Sequence, residues 1–298
     1  MSAKTAPKRR TRRLAPMNSN SLRGAEFRRL LGDRTTLVAI GVPALAVAIY
    51  FLATGAPGGL ALAVLVALIG LVVVWFIADH RAGKRFWEVY AETRGLKLEG
   101  LTVLPRSTPF LQQGMDRYAS PALTGELAPG VVGTIGLLTV KEPTVTSDGP
   151  DEKDVYFTFA MAEPAASKPY MRELYCKGKF GMRSLEKVED AFRRNKQRVT
   201  LESDDLLERY EIFVAKGQDE VWTRRLFSPS FIVWLAERSP AEWGFELVDG
   251  TLVSFVPDRH EDAIGLDALA AATGRVAQRL LEESAQTTAR AADADPGR

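Results

Sequence analysis

The chain has 298 residues and a formal net charge of +2, from 39 Lys and Arg against 37 Asp and Glu. The charges are segregated into a tail of +8 over residues 1–34, no charge at all over 35–78, and a body of −6 over 79–298. That layout excludes an ordinary soluble globule, and the acidic body argues against nucleic acid as a partner, because neutralising phosphates takes clustered positive charge. One cysteine (Cys176) and two histidines (His80, His260) exclude a disulfide framework, a multi-thiolate zinc site and the usual His-rich metal centres.

In chain order, residues 1–20 are Lys, Arg, Ser, Thr, Ala and Pro with hardly any large apolar side chain, and are expected to be disordered. In 21–33, Phe27, Leu30 and Leu31 fall at i, i+3, i+4 among Arg23, Arg28 and Arg29, and Gly32 is placed to end a helix. The spacing predicts a short amphipathic helix on the cytoplasmic leaflet, held by anionic lipids. An electrostatic switch, with phosphorylation of Thr11, Ser19 or Ser21 releasing the tail, is the alternative.

The uncharged stretch 35–78 is 44 residues. As one helix it would reach about 66 Å, twice a bilayer's ~30 Å hydrocarbon thickness. Thr54-Gly55-Ala56-Pro57-Gly58-Gly59 breaks it into spans at 37–53 and 60–78, a transmembrane hairpin within 35–79. Thirteen of the nineteen residues in the second span are Leu, Ile, Val or Phe, whereas Gly41 and Pro43 weaken the first. Arg and Lys flank both outer ends and none lies in the connection, which places both termini in the cytoplasm and the hairpin in the plasma membrane. Ala44 and Ala48, then Gly59, Ala63 and Ala67, recur at four-residue spacing, suiting either packing of the hairpin on itself or a homodimer. No ionisable group lies inside either span, which argues against a transporter.

Residues 80–286 read as one cytosolic domain, followed by a disordered tail at 287–298. Phe86, Trp87, Tyr90 and Ala91 form an aromatic stripe on a helix that Gly95 stops. Strand patterns follow at 96–103, 122–126, 131–140, 155–161, 172–176 and 210–215. Helices are predicted at 218–227 and, after Ser228-Pro229, at 229–237. Strands at 243–248 and 251–256 flank Asp249-Gly250, a strong hairpin signal, and a last helix covers about 266–284. Strands grouped before helices favour an α+β fold with a mainly antiparallel sheet.

The chemistry-bearing residues have ordinary readings. Gly130, Gly133 and Gly136 suit a turn entering a strand rather than a phosphate cradle, which would open a helix. Asp258-Arg259-His260-Glu261-Asp262 sits at a strand-to-helix junction, where Asp262 or Asp267 can cap the helix. Cys176 lies in an apolar alternation, as a buried residue would. Trp222, Trp234 and Trp243, interleaved with Phe227, Phe231 and Phe245, are either core or the lining of a docking groove, and would wall the pocket if the domain senses a small ligand. Residues 193–198, Arg193 to Arg198, form a basic run expected at a solvated helix end, with contact to anionic headgroups as the alternative.

The two-span hairpin, the Phe86-Trp87 helix, Tyr210-Glu211-Ile212-Phe213-Val214, Leu226-Phe227-Ser228-Pro229-Ser230-Phe231 and the 243–256 hairpin together resemble uncharacterised two-pass membrane proteins of bacteria, of actinobacterial type. The resemblance implies a topology and assigns no activity or functional residue. The expected function is that of a membrane-anchored cytosolic interaction or regulatory module with a protein partner, no cofactor, no metal and no catalytic residue. The alternatives are a small-ligand sensor and an enzyme using carboxylates such as Glu202, Asp204, Asp258 or Asp262.

Overall fold

The computed structural model describes residues 18–54, 59–114, 116–146, 149–179 and 196–294. The tail at 1–17, the centre of the predicted turn at 55–58, and Arg193 and Arg194 lie outside the described residues. The chain divides into two compact units, Met1–Phe86 with Glu261–Ile264, and Trp87–His260 with Gly265–Arg298.

In the first unit, α1 (Ser19–Gly32) begins at Asn18, whose side chain accepts from Asn20 N at 2.9 Å. α2 (Arg34–Thr54) and α3 (Gly59–Arg94, whose end belongs to the second unit) are both long and apolar enough to cross a membrane. They touch where a side chain is missing: a Cβ on Gly70 would lie 2.9 Å from Ile40 Cγ2. The small-residue spacing in the sequence pointed elsewhere, to Ala63, which is buried, and to Ala44, Ala48 and Ala67, which are half-buried. Gly70→Leu should therefore weaken the hairpin by about 1–3 kcal/mol, the usual range for overpacking. A lower denaturant midpoint for helix–helix separation in micelles checks this, and an unchanged midpoint counts against the contact.

The amphipathic helix expected at 21–33 is α1, and its apolar face packs on α3: Leu30 is buried against Val74 and Ala78 with Phe27, Leu31 and Ile40 packed around them. Ion pairs fix the same seat: Arg23 with Asp79, and Glu26 with Arg85 at 3.0 Å.

The second unit is built on one nine-stranded sheet in the order β1-β2-β3-β4-β9-β8-β5-β7-β6, with every pairing antiparallel. The strands are β1 (Lys97–Glu99), β2 (Asp116–Ala128), β3 (Val131–Thr146), β4 (Gly149–Ala162), β5 (Glu173–Gly178), β6 (Lys196–Val199), β7 (Tyr210–Ala215), β8 (Gly244–Val248) and β9 (Thr251–Pro257). The helices are α4 (Asp204–Arg209), α5 (Glu220–Leu226), α6 (Pro229–Arg238) and α7 (Ala263–Ala294). The α+β architecture with a large antiparallel sheet is thus the fold.

Alternation along the strands sends residues to two cores. On β9, Ser254 turns to α7, where its hydroxyl bonds Thr273 Oγ1, while Val253 and Phe255 face the opposite side. There they pack with Phe157, Phe159, Leu138 and Val140 under a segment carrying Leu104, Phe110 and Leu111. α7 crosses the sheet as far as β2: Gly274 lies against Ala128, where a Cβ would clash, and Gln278 Nε2 donates to Pro129 O at 3.0 Å. Asp267 is not a cap. It lies inside α7 and accepts from Tyr90 OH at 3.0 Å and Arg94 Nε at 2.8 Å, docking the end of α3.

Several boundaries move for local reasons. The strand expected at 96–103 shrinks to β1, and beyond it Thr102 keeps one bridge to Ala119 while Leu101 and Val103 face solvent. Residues 287–294, expected as disordered, are the last turns of α7, where Arg290 pairs with Glu283 at 3.5 Å and Tyr170 OH meets Thr288 Oγ1 at 2.8 Å. The described part of the basic run is not a helix end but the edge strand β6, with Lys196 paired to Glu173 and Arg198 to Glu211 at 3.4 Å.

Candidate functional site

A cleft opens beside the β6 edge. The chain leaves β6 through Thr200, Leu201 and Glu202, and Ser203 then caps α4 by accepting from Leu206 N at 3.3 Å. Opposite, Asp219 starts α5 by accepting from Val221 N at 2.8 Å, and Pro229 sits in the first turn of α6. These helix starts turn Phe227, Pro229, Ile232 and Val233 toward Leu201, leaving a cleft of about 340 Å³ with an apolar floor and Thr200, Glu202, Ser203 and Arg224 as its polar rim. A smaller cavity of about 70 Å³, reaching along β6 through Gln197, Arg198 and Val199, shares Thr200 and Arg224 with it. Arg224 Nη2 is 3.1 Å from Glu220 Oε1, and Arg224 Nη1 is 4.0 Å from Glu202. The arrangement suits an apolar side chain flanked by a polar or acidic group.

The residues singled out in the sequence have other duties. His260 N donates to Thr158 Oγ1 at 2.9 Å, Thr158 Oγ1 donates to Asp258 O at 2.9 Å, and the Arg259 guanidinium lies 5.2 Å from the Tyr156 ring centre. Asp258 has a positive φ of 65°, so the segment is a tied turn. Glu261 offers its backbone carbonyl to Ser19 N, and Asp262 bridges to Asn18. Glu202 and Asp204 lie by the β6 edge, whereas Asp258 follows β9 in the middle of the sheet. Among the described residues no three His, Cys, Asp or Glu side chains gather as a metal site needs.

Cys176 is fully buried on β5, where burial pushes its thiol up. The aromatic run packs on itself, Trp234 on Trp243 at 6.0 Å and Trp243 on Phe245 at 5.1 Å; of these rings, Phe227 lines the cleft. Gly130 takes φ 75° at the β2–β3 turn, and Gly136 lets β2 approach, a Cβ there lying 3.0 Å from Ala122 Cα.

No protein-family model matches the sequence, and no curated protein does. Among solved structures the chain is similar to the crystal structure of the mycobacterial trehalose monomycolate transport factor A, TtfA. The identity is 12%, over 67% of this chain and 93% of that one, with a TM-score of 0.43. No function follows from a likeness at this level.

One buried group escaped the sequence reading. Glu246 on β8 is 1% exposed, and its Oε2 accepts from Phe110 N at 2.8 Å. Burial pushes its carboxyl up to about 7, against the hydrogen bonds of Phe110 N and Thr108 and the charge of Lys177. The signal available was a Glu at an inward position of an apolar strand, Gly244-Phe245-Glu246-Leu247-Val248.

Proposed function

We propose that the chain is a membrane-anchored module whose hairpin spans a bacterial cytoplasmic membrane, with both termini inside, and whose sheet domain binds a protein partner rather than catalysing a reaction. The observation that carries the anchor is the outward array of aliphatic and aromatic side chains along α2 and α3, from Leu37 through Leu52, which is 82% exposed, to Phe76. At roughly 25 cal/mol per Å² of apolar surface such an array is costly in water and favourable in lipid. Membership in the two-pass bacterial group that the sequence resembles belongs to the same proposal.

The basic tail adds attraction to anionic lipids, now through residues before α1 and the outward Arg28 and Arg29, since the apolar face of α1 is taken by α3. A homodimer through the hairpin fits the same outward surface. For the domain, scattered carboxylates and a cleft with an apolar floor support docking over catalysis. Val233, half exposed on that floor, is the residue to change.

The test is crosslinking in membranes and purification of tagged full-length protein, beside a chain lacking residues 84–298 and the variant Val233→Glu. A stoichiometric partner lost from both altered chains is the expected result. A partner retained by the chain without its domain refutes the reading. The second reading, a small-ligand sensor, is favoured by the size of the cleft. A small molecule that competes for the cleft and is displaced by Val233→Glu, with no protein recovered, would replace the first reading with it.

A further inference from the structure

Arg117 on β2 is 8% exposed, on the same face as Ala119 and beneath the segment 104–113. A buried guanidinium normally meets a carboxylate. This one has a contact from Nη2 to Leu104 O at 3.5 Å, and its Nε has no hydrogen-bond partner among the described residues. Asp116, the nearest acid in sequence, is exposed and spends Oδ1 on the Arg117 backbone N at 2.8 Å. The other charge facing Arg117 is a second cation, Arg106, on the covering segment. The same segment carries two more buried polar atoms without a partner among the described residues, Ser107 Oγ and Gln113 Nε2. Burial first, and then Arg106, push the Arg117 guanidinium below its ordinary value, with Asp116 opposing. Among the described residues neither guanidinium forms an ion pair, and with the Ser107 hydroxyl and the Gln113 carboxamide N–H on the covering segment this region carries more donors than acceptors, which suits an oxyanion.

We propose that Arg117, Arg106, Ser107 and Gln113 hold a phosphate group, with Arg117 as the buried anchor and Arg106 as the exposed arm that closes on it. Leu101, 70% exposed, and Val103, 78% exposed, stand just before that segment in the chain. The phosphate is therefore either that of a soluble phosphate compound or the headgroup of a lipid whose apolar part these side chains would meet.

The experiment uses the full chain in phosphatidylcholine nanodiscs, titrated with inorganic phosphate, and separately the full chain in nanodiscs containing phosphatidic acid. Thermal unfolding and hydrogen exchange of residues 104–117 are read for the wild type, Arg106→Gln and Arg117→Gln. Inorganic phosphate should raise the unfolding midpoint and slow exchange in that segment. Arg106→Gln, at an exposed position, should fold normally and weaken the response about tenfold, as loss of one charge-assisted contact does. Arg117→Gln should abolish it. Protection by inorganic phosphate alone supports the site and places its ligand among soluble phosphates; protection by phosphatidic acid that Arg106→Gln removes supports it and places the ligand among lipids. Absence of both effects in the wild type, or an equal response in Arg106→Gln and the wild type, overturns the proposal.

Discussion

Phe110→Ala should destabilise the sheet domain by about 3–5 kcal/mol, the range for removing a fully buried phenylalanine. The ring is 1% exposed, stacks on Phe255 with centres 3.9 Å apart and planes 5° from parallel, and meets the edge of Phe157 at 5.2 Å. Those partners stand on β9 and β4, two rigid neighbouring strands, so the core cannot collapse to fill the space left behind. Phe110 also seats its short helical turn (Phe110–Gln112), which covers this face of the sheet. Urea unfolding of the full chain in micelles, followed by exchange protection of the strands, measures the loss. A change below about 1 kcal/mol would mean that the 104–112 segment is not packed as described.

The second large effect concerns pH. The Glu246 carboxyl is raised from an ordinary 4.5 to about 7 in the folded chain, chiefly by burial. A carboxyl with a raised folded value binds its proton more tightly in the folded than in the unfolded state between those two values. Its contribution to stability is therefore complete below about pH 4.5, falls as pH rises toward 7, and is lost above that. The interval corresponds to about 3 kcal/mol at 1.36 kcal/mol per unit. Glu246→Gln keeps an oxygen acceptor for Phe110 N and removes the charge, so its advantage over the wild type should grow by that amount from acid to neutral pH and then level off. Unfolding of both proteins at about pH 5 and about pH 8 decides it. Parallel profiles would show that Glu246 is not desolvated.

What the sequence disclosed, and what it did not, follows from how local each signal is. The 251–257 strand and its partner were legible because Asp249-Gly250 is a local turn signal, realised with φ of 47° and 86°. Tyr210–Ala215 was legible as a run of β-branched and aromatic residues. The break between α2 and α3 was legible from composition, but their contact at Gly70 and Ile40 was not, because a long-range crossing leaves no spacing to read. The short edge strand β6 was hidden because its charges signal solvent, and their partners Glu173 and Glu211 are distant in sequence. α4 has a local signal of its own, Ser203 as cap followed by two aspartates in the first turn. The cleft was not legible, since Thr200 after β6, Arg224 on α5 and Val233 on α6 come together only in the folded chain. The aromatic run was legible only as a choice between core and pocket, and the rings chose core because each finds another ring within packing distance.

The central claim, a hairpin that crosses the membrane with the sheet domain inside, meets its most direct test in cysteine accessibility. The native Cys176 is buried and its thiol is pushed up, so it stays silent toward maleimides. Ala56→Cys, between the spans, and Lys216→Cys, on an exposed turn after β7, are each expressed as full-length protein in bacterial cells. A membrane-impermeant maleimide should label position 56 on intact cells and position 216 only after permeabilisation. Labelling of both positions from the same side would contradict the account.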